Sequence, residues 1–341
     1  MVTARPALQE RSKARSAPAM FQPTDLLSIQ DLSPGDVHEI FDLTKTIKQH
    51  PAMFSTALAG RQFVMMFEKP SLRTRVTFEV GINALGGHAL FMECPGGIES
   101  REKIADVARN LERWVQGIVL RTFKHSTVTE MAANANVPVI NALTEREHPC
   151  QALADYFTLL EKFGAVEKLK VAFVGDGNNV AHSLMLTAAN LGGHFALATP
   201  KGYEPAKEIV RAAKAIAAST GATIEITHDP HAAVAGADAV YTDVWASMGQ
   251  ECEAGQRSGI FRPYQVNSEL MSLAAPQAAF LHCLPAHRGD EVTDEVLDSP
   301  QSVVYDEAEN RLHVQNAILV LLAGASRGSK KSAATVGTAG A

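Results

Sequence analysis

Apolar runs alternate with amphipathic stretches through most of this chain. Residues 63–67 are continuously apolar, the pattern of a strand buried on both faces. Pro70 ends the run and Ser71 stands where a helix N-cap belongs. Val76, Val80 and Ala84 then recur at four-residue spacing, so a helix follows. Upstream, Ser33-Pro34 starts a helix within residues 26–50 whose apolar face carries Val37, Ile40, Phe41 and Ile47. Downstream, HALFME (88–93) predicts a second buried strand and Gly96-Gly97 a loop. An amphipathic helix over 101–115, a strand over 117–122, a helix near 126–134 and a strand over 137–142 come next. Strands alternating with helices predict a mostly parallel sheet covered on both sides.

Residues 149–163 read as a helix that is apolar around much of its circumference, as a helix buried between domains is. After Gly164 the alternation resumes, with strands at KVAFVGD, HFALATP, TIEITHD, DAVYTDVW and AAFLHCLP. The fold class is therefore α/β, with two doubly wound parallel-sheet domains joined by long helices and a site in the cleft between them. The predicted division is a first domain over 21–155 and a second over 156–310. A strongly apolar helix over 311–323 packs back onto the first. Residues 1–20 and 324–341 are low-complexity tails left out of the fold.

Composition narrows the function classes. Hydrophobic residues make up 46% and charged residues 20%, ordinary for a globular chain of 341 residues. A formal charge of −6 gives no general attraction to nucleic acid or anionic membrane, and no apolar run is long enough to span a bilayer. Cys94, Cys150, Cys252 and Cys283 are widely spaced, with neither zinc-site nor disulfide-framework spacing. They point to a reducing compartment. The expected location is the cytoplasm, or the mitochondrial matrix if the Ala-, Arg- and Ser-rich first 20 residues are a transit peptide.

Candidate chemistry lies where ligands bind in open parallel sheets, just beyond the carboxyl ends of strands. After the first strand come Ser71, Leu72, Arg73, Thr74 and Arg75 at a helix start, where backbone N–H groups and the helix dipole favour an anion. Arginine forks match phosphate oxygens. Residues two apart on a helix point in nearly opposite directions, so Arg73 is assigned to the anion and Arg75 to a nearby acid. An ordinary capped surface helix with solvated arginines has the same sequence pattern. Other strand ends contribute Arg121, Asn141, His148 with Gln151, Asp176 to Asn179, Asp243 with Ser247-Met248-Gly249, and His282 to Arg288. GDGNN lacks the third glycine of a dinucleotide loop, which argues against a nicotinamide cofactor. His282 and Cys283 point to opposite faces as strand neighbours, so they do not form a base–nucleophile pair. Cationic groups in the first domain and Asp243, Asn179 and a thiol in the second suit a two-substrate enzyme.

Together these segments resemble the aspartate/ornithine carbamoyltransferase family over residues 22–323. The family's carbamoyl-phosphate signature S-T-R-T-R reads Ser71-Leu72-Arg73-Thr74-Arg75, with Leu72 in place of a threonine. HPCQ (148–151), GDGNN (175–179), DVWASMGQE (243–251), HCLPAHRG (282–289) and EAENR (307–311) are similar to its ornithine-specific branch. The resemblance implies transfer of a carbamoyl group from carbamoyl phosphate to the δ-amine of L-ornithine, giving citrulline for arginine synthesis. It implies that Ser71, Leu72, Arg73 and Thr74 hold the phosphate, with Arg121, His148 and Gln151 reaching the phosphate and carbamoyl groups. Asn179 and Asp243 take the amino acid's carboxylate and ammonium, and Ser247 and Met248 belong to a loop over it. Cys283, the Leu284 carbonyl and Arg311 lie by the reacting carbon. The catalytic set so implied is Arg121, His148, Cys283 and Arg311, with neither metal nor cofactor. A homotrimer is implied, with a neighbour's residue, His88 or one near it, completing the phosphate pocket. Alternatives are a carbamoyltransferase for N-acylornithine or putrescine, and a non-catalytic regulatory subunit.

Overall fold

The computed structural model describes residues 21–246 and 254–324. Ser247 and Met248, expected over the amino acid, and Cys252 lie outside the described residues.

The first unit runs α1 (Pro34–Gln49), β1 (Gln62–Phe67), α2 (Leu72–Ala84), β2 (His88–Glu93), α3 (Ile104–Leu111), β3 (Gly117–Arg121), α4 (His125–Asn134), β4 (Val139–Leu143) and α5 (Pro149–Phe163). The second runs β5 (Lys170–Val174), α6 (Asn179–Leu191), β6 (His194–Ala198), α7 (Lys207–Thr220), β7 (Thr223–Thr227), α8 (Pro230–Val234), β8 (Ala239–Tyr241), α9 (Ala254–Phe261), α10 (Ser268–Met271), β9 (Ala279–Leu281) and α11 (Asp294–Leu297). A final helix, α12 (Val304–Gly324), completes the described chain.

Both sheets are wholly parallel, in the orders β2-β1-β3-β4 and β7-β6-β5-β8-β9. Each sheet therefore has one place where successive crossovers run in opposite directions, between β1 and β3 in the first and between β5 and β8 in the second. Such switch points open a crevice beyond the strand ends. The turns after β1, β3, β5 and β8 carry Ser71–Thr74, Arg121, GDGNN and Asp243, so topology alone gathers the candidate residues.

Three sequence expectations need correction. HALFME does form β2, but at the sheet edge rather than in the interior, and Leu90 and Met92 remain 44% and 48% exposed. In α2, the buried residues are Thr74, Phe78, Gly81 and Ile82, whereas Val76 and Val80 are 46% and 49% exposed. Four-residue spacing marked the helix but not its inner face. Helix α12 begins at Val304, not at 311, which puts Glu307 and Arg311 one turn apart on one rigid element.

Ser71 caps α2 by accepting from the Thr74 N–H at 3.3 Å, and Pro149 opens α5, which ends at Gly164 in the left-handed region (φ 78°). The largest apolar cluster runs without a break from α1 and β1 through α5 and α12 to α6 and β6. The two sheets thus share one core across α5 and α12. Lys48 Nζ reaches Glu161 at 2.9 Å and Asn310 Oδ1 at 2.8 Å, tying α1, α5 and α12 together. Among the described residues no helix is long and apolar enough to cross a membrane.

Candidate active site

Between the sheets lies a cleft of about 520 Å³. Its walls include Ser71, Leu72, Arg73, Thr74, Arg121, His148 and Gln151 from the first unit and α5, and Asn179, Asp243, Cys283 and Leu284 from the second. Arg311 enters from α12. Of the residues offered by the strand ends, Arg75, Asn141, Asp176, Asn178, His282 and Arg288 do not line this space.

The first-unit wall is cationic and dry. Arg121 Nη1 and Arg311 Nη2 both donate to the Thr74 hydroxyl oxygen, at 3.3 and 2.7 Å. The two arginines are 8% and 3% exposed, and among the described residues neither meets a carboxylate within ion-pair distance. Burial, reinforced by Arg311, pushes the Arg121 guanidinium down to about 10, so it stays charged at neutral pH. Two buried, unpaired like charges converging on one hydroxyl form a receptor for an anion. Arg73 lines the same wall, while Arg75 turns away to Glu79 at 3.4 Å and stacks over the Phe91 ring at 3.7 Å. That is the division of labour expected from the helical angle. The Leu72 side chain is 75% exposed at the cleft mouth.

His148 is held neutral. Burial, with Arg311 and Arg121 close by, keeps its imidazole well below the ordinary range, and its Nδ1 has no partner among the described residues. A neutral imidazole can still donate one N–H to a carbonyl oxygen. Its backbone is fixed by a buried network of residues distant in the chain. The His148 N–H donates to Ser183 Oγ at 2.9 Å, and Ser183 Oγ donates to Glu147 Oε2 at 3.2 Å. Glu147 also accepts from the Ser28 hydroxyl and from the Ile29 N–H.

The second-unit wall carries the negative charge. Asp243 accepts from Asn178 Nδ2 at 2.7 Å, from the Val244 N–H at 2.8 Å and from the Cys283 thiol at 3.1 Å. Asn178 also caps α6, so the GDGNN turn aims Asp243, a function not read from sequence. Burial and Asp243 push the Cys283 thiol well above its usual range. It is a hydrogen-bond donor here rather than a thiolate nucleophile. Asn179 Nδ2 donates to the Thr144 carbonyl at 2.6 Å, linking the two walls. Arg257 bonds Asp176 at 2.6 Å and the Trp245 carbonyl at 2.9 Å, steadying the segment after Asp243.

His282 does not line the cleft, but it lies just past β9 and its ring comes within 4.8 Å of the Cys283 thiol, so the two do not take opposite faces as strand neighbours would. The His282 Nδ1 accepts from the Leu284 N–H at 2.9 Å, so Nε2 carries the proton toward Glu291 at 3.1 Å. Asp243, His282 and Cys283 bring ligand-type atoms within 4.8 Å of one another, but both nitrogens of His282 are already engaged. Leu284 adopts φ 58° ahead of a cis bond to Pro285, which makes the turn that brings residues 283–285 to the cleft.

Comparison with known proteins matches both halves. Residues 24–161 fit the family model described as aspartate/ornithine carbamoyltransferase, carbamoyl-P binding domain. Residues 167–322 fit the Asp/Orn binding domain of the same family. The chain belongs to the aspartate/ornithine carbamoyltransferase family. Within it, the chain is 52% identical over 303 residues to the ornithine carbamoyltransferase of Pyrococcus abyssi, covering 88% of this chain and 96% of that one. The solved ornithine carbamoyltransferase of Pyrococcus furiosus superposes with a TM-score of 0.87 at 48% identity, covering 92% of this chain and all of that one. An anabolic ornithine carbamoyltransferase from Campylobacter jejuni gives 0.83 at 38%, covering 87% of this chain and 98% of that one. The fold of two parallel-sheet units is shared with these solved structures.

Proposed function

We propose that this chain transfers the carbamoyl group of carbamoyl phosphate to the δ-amine of L-ornithine, giving L-citrulline and phosphate for arginine synthesis. The observation that carries the reading is the opposition, across one cleft, of two buried unpaired guanidinium groups and a carboxylate fixed by three donors. One wall suits a dianion and the other an ammonium group. Curated relatives at about half identity bear the name ornithine carbamoyltransferase.

Ser71, Arg73, Thr74 and the backbone at Leu72 hold the phosphate, with Arg121 and Arg311 closing over it. The neutral His148 donates to the carbamoyl oxygen, and the same arginines stabilise the oxyanion that forms there. Gln151 meets the carbamoyl amine. Asp243 takes the α-ammonium of ornithine, Asn179 its carboxylate, and Cys283 with the Leu284 carbonyl faces the δ-amine. That amine ordinarily has a pKa of about 10 and must lose a proton before attack. Its nitrogen then bonds to the carbamoyl carbon, the carbon–oxygen bond to phosphate breaks, and the departing phosphate takes the nitrogen's surplus proton as it leaves into the arginine wall. The domain division 21–155 and 156–310, with residues 311–323 returned to the first, belongs to this proposal.

The assembly proposed is the homotrimer that the family resemblance implies. Val76 and Val80 of α2 are exposed on one side of the first sheet, and Leu90 and Met92 of its edge strand β2 form an exposed apolar face on the other. An open sheet edge flanked by such a face suits a second copy. His88 starts β2 in register with Gln62, at the end of the sheet away from Ser71 of its own subunit, so its only route to a phosphate pocket is a neighbour's. The same reading places the protein in the cytoplasm, in keeping with free thiols at Cys94, Cys150 and Cys283.

The deciding experiment is citrulline-type product formation from carbamoyl phosphate with ornithine, N-acetylornithine or putrescine. Ornithine is the expected acceptor, because only it offers both an α-ammonium to Asp243 and a carboxylate to Asn179. Turnover with putrescine or the N-acyl compound in preference to ornithine would overturn the assignment.

A further inference from the structure

Behind the cleft wall lies a closed polar cluster that no step above uses. Asp155 on α5, Glu307 on α12 and Tyr241 on β8 are each at most 1% exposed. Gln151 Nε2 donates to Asp155 Oδ1 and to Glu307 Oε1, both at 2.8 Å. Glu307 also accepts from the Tyr241 hydroxyl at 3.3 Å and from the His282 N–H at 3.0 Å. Among the described residues neither acid forms an ion pair, although Arg311 one helical turn from Glu307 lies close enough to act on Asp155. Two neighbouring carboxyls in so dry a place do not both ionise at neutral pH. Burial raises both, Asp155 to about 7 and Glu307 well above the ordinary range, so the pair keeps a proton.

The consequence falls on Gln151. An amide nitrogen has two hydrogens and offers no acceptor, and here both hydrogens are consumed by carboxyl oxygens. The proton the pair keeps is held between the two carboxyls, so rotating the amide by half a turn would set its oxygen against acceptors. The other end of the group, Gln151 Oε1, is buried without a partner on a residue that lines the cleft. A buried carbonyl left in that state is satisfied only by an incoming N–H or O–H.

We propose that Asp155 and Glu307 are positioning residues that latch the Gln151 amide with its carbonyl toward the cleft, making an N–H beside the acyl carbon a requirement for the phosphate donor. The proposal rests on the carbamoyl-phosphate reading and names what selects that donor. Acetyl phosphate, with a methyl group in place of the amine, has the same phosphate but nothing to give Gln151.

The test is steady-state kinetics on the full chain for wild type, Asp155→Asn, Glu307→Gln and the double variant. Carbamoyl phosphate is the varied substrate, with acetyl phosphate and inorganic phosphate as competitive inhibitors. In the double variant both neighbours present N–H as well as C=O, so Gln151 can seat either way round. The KM for carbamoyl phosphate then rises roughly three- to tenfold while the inhibition constants for acetyl phosphate and phosphate stay within about twofold. Equal losses for all three ligands would mean a distorted cleft and overturn the latch, as would no change in any. If the double variant does not fold, the single variants carry the test, each moving carbamoyl phosphate alone by a smaller factor. A wild type that makes no citrulline would instead bring down the underlying reading, a result distinct from an active wild type whose variants lack the split.

Discussion

Arg73 sits in the first turn of α2 with Ser71 capping the helix behind it, and it faces the cleft while Arg75 is spent on Glu79 and Phe91. Removing one well-placed donor to a developing anion costs on the order of 10²–10³ in turnover. Arg73→Ala should lower kcat for citrulline formation by at least that order with unchanged circular dichroism, and near-normal turnover would remove Arg73 from the phosphate site. A second residue-scale prediction concerns acid. His182 Nδ1 donates to the Arg146 carbonyl at 2.7 Å and Nε2 accepts from the Ala206 N–H at 3.0 Å, leaving no place for another proton. Burial accordingly lowers its pKa below the ordinary 6.5. As pH falls through that value the unfolded chain gains a proton that the folded chain refuses, so stability drops. The melting-temperature advantage of wild type over His182→Gln should shrink between about pH 7.5 and 5. At this scale the sequence exposed the groups that line the cleft, because their types and positions after strands are chemical signals. It concealed Asn178 behind Asp243, Ser183 and Glu147 behind His148, and the two acids behind Gln151, because those pairings join residues far apart in the chain.

Helix α2 illustrates what periodicity does and does not determine. The repeat of Val76, Val80 and Ala84 located the helix, but the face that packs inward is Thr74, Phe78, Gly81 and Ile82. A stripe of valines is silent about whether its covering comes from the same chain. Strand β2 misled in the same way: an apolar hexapeptide looks interior, yet the sheet order leaves it at an edge. The GDGNN turn teaches the opposite lesson. Its missing third glycine is plain in the sequence, while the reason for Gly177 is visible only in space. A Cβ there would stand 2.3 Å from the Pro205 backbone nitrogen and 2.7 Å from the Tyr203 carbonyl oxygen. Backbone cannot swing aside as a side chain can. Gly177→Ala should therefore destabilise by about 1–3 kcal/mol in denaturant titration. It should also raise the KM for ornithine, since Asn178 and Asn179 follow directly; an unchanged denaturation midpoint would contradict this.

For the molecule as a whole, strand–helix alternation was enough to give two parallel-sheet units, but the strand orders that create the switch points are not encoded locally and had to be seen. The proposed assembly rests on the open edge at β2 and the apolar groups exposed on either side of it. Val80→Lys combined with Met92→Lys places two charges where an apolar partner surface is expected. Light scattering should then report a smaller species with intact circular dichroism and a raised KM for carbamoyl phosphate. A trimer that survives both charges would move the interface elsewhere.

Helix α12 has a consequence for how the chain is made. It buries Val314, Ala317, Ile318, Leu319 and Leu322 in the core shared with α1, α2 and α5. Each large aliphatic group so buried contributes about 1.5–3 kcal/mol, so the set rivals the roughly 5–15 kcal/mol by which a whole domain is stable. The earliest-synthesised unit thus emerges from the ribosome with an uncovered flank and must wait for the last helix to be translated. Premature termination before Val304 would spoil the half of the protein that had already been completed.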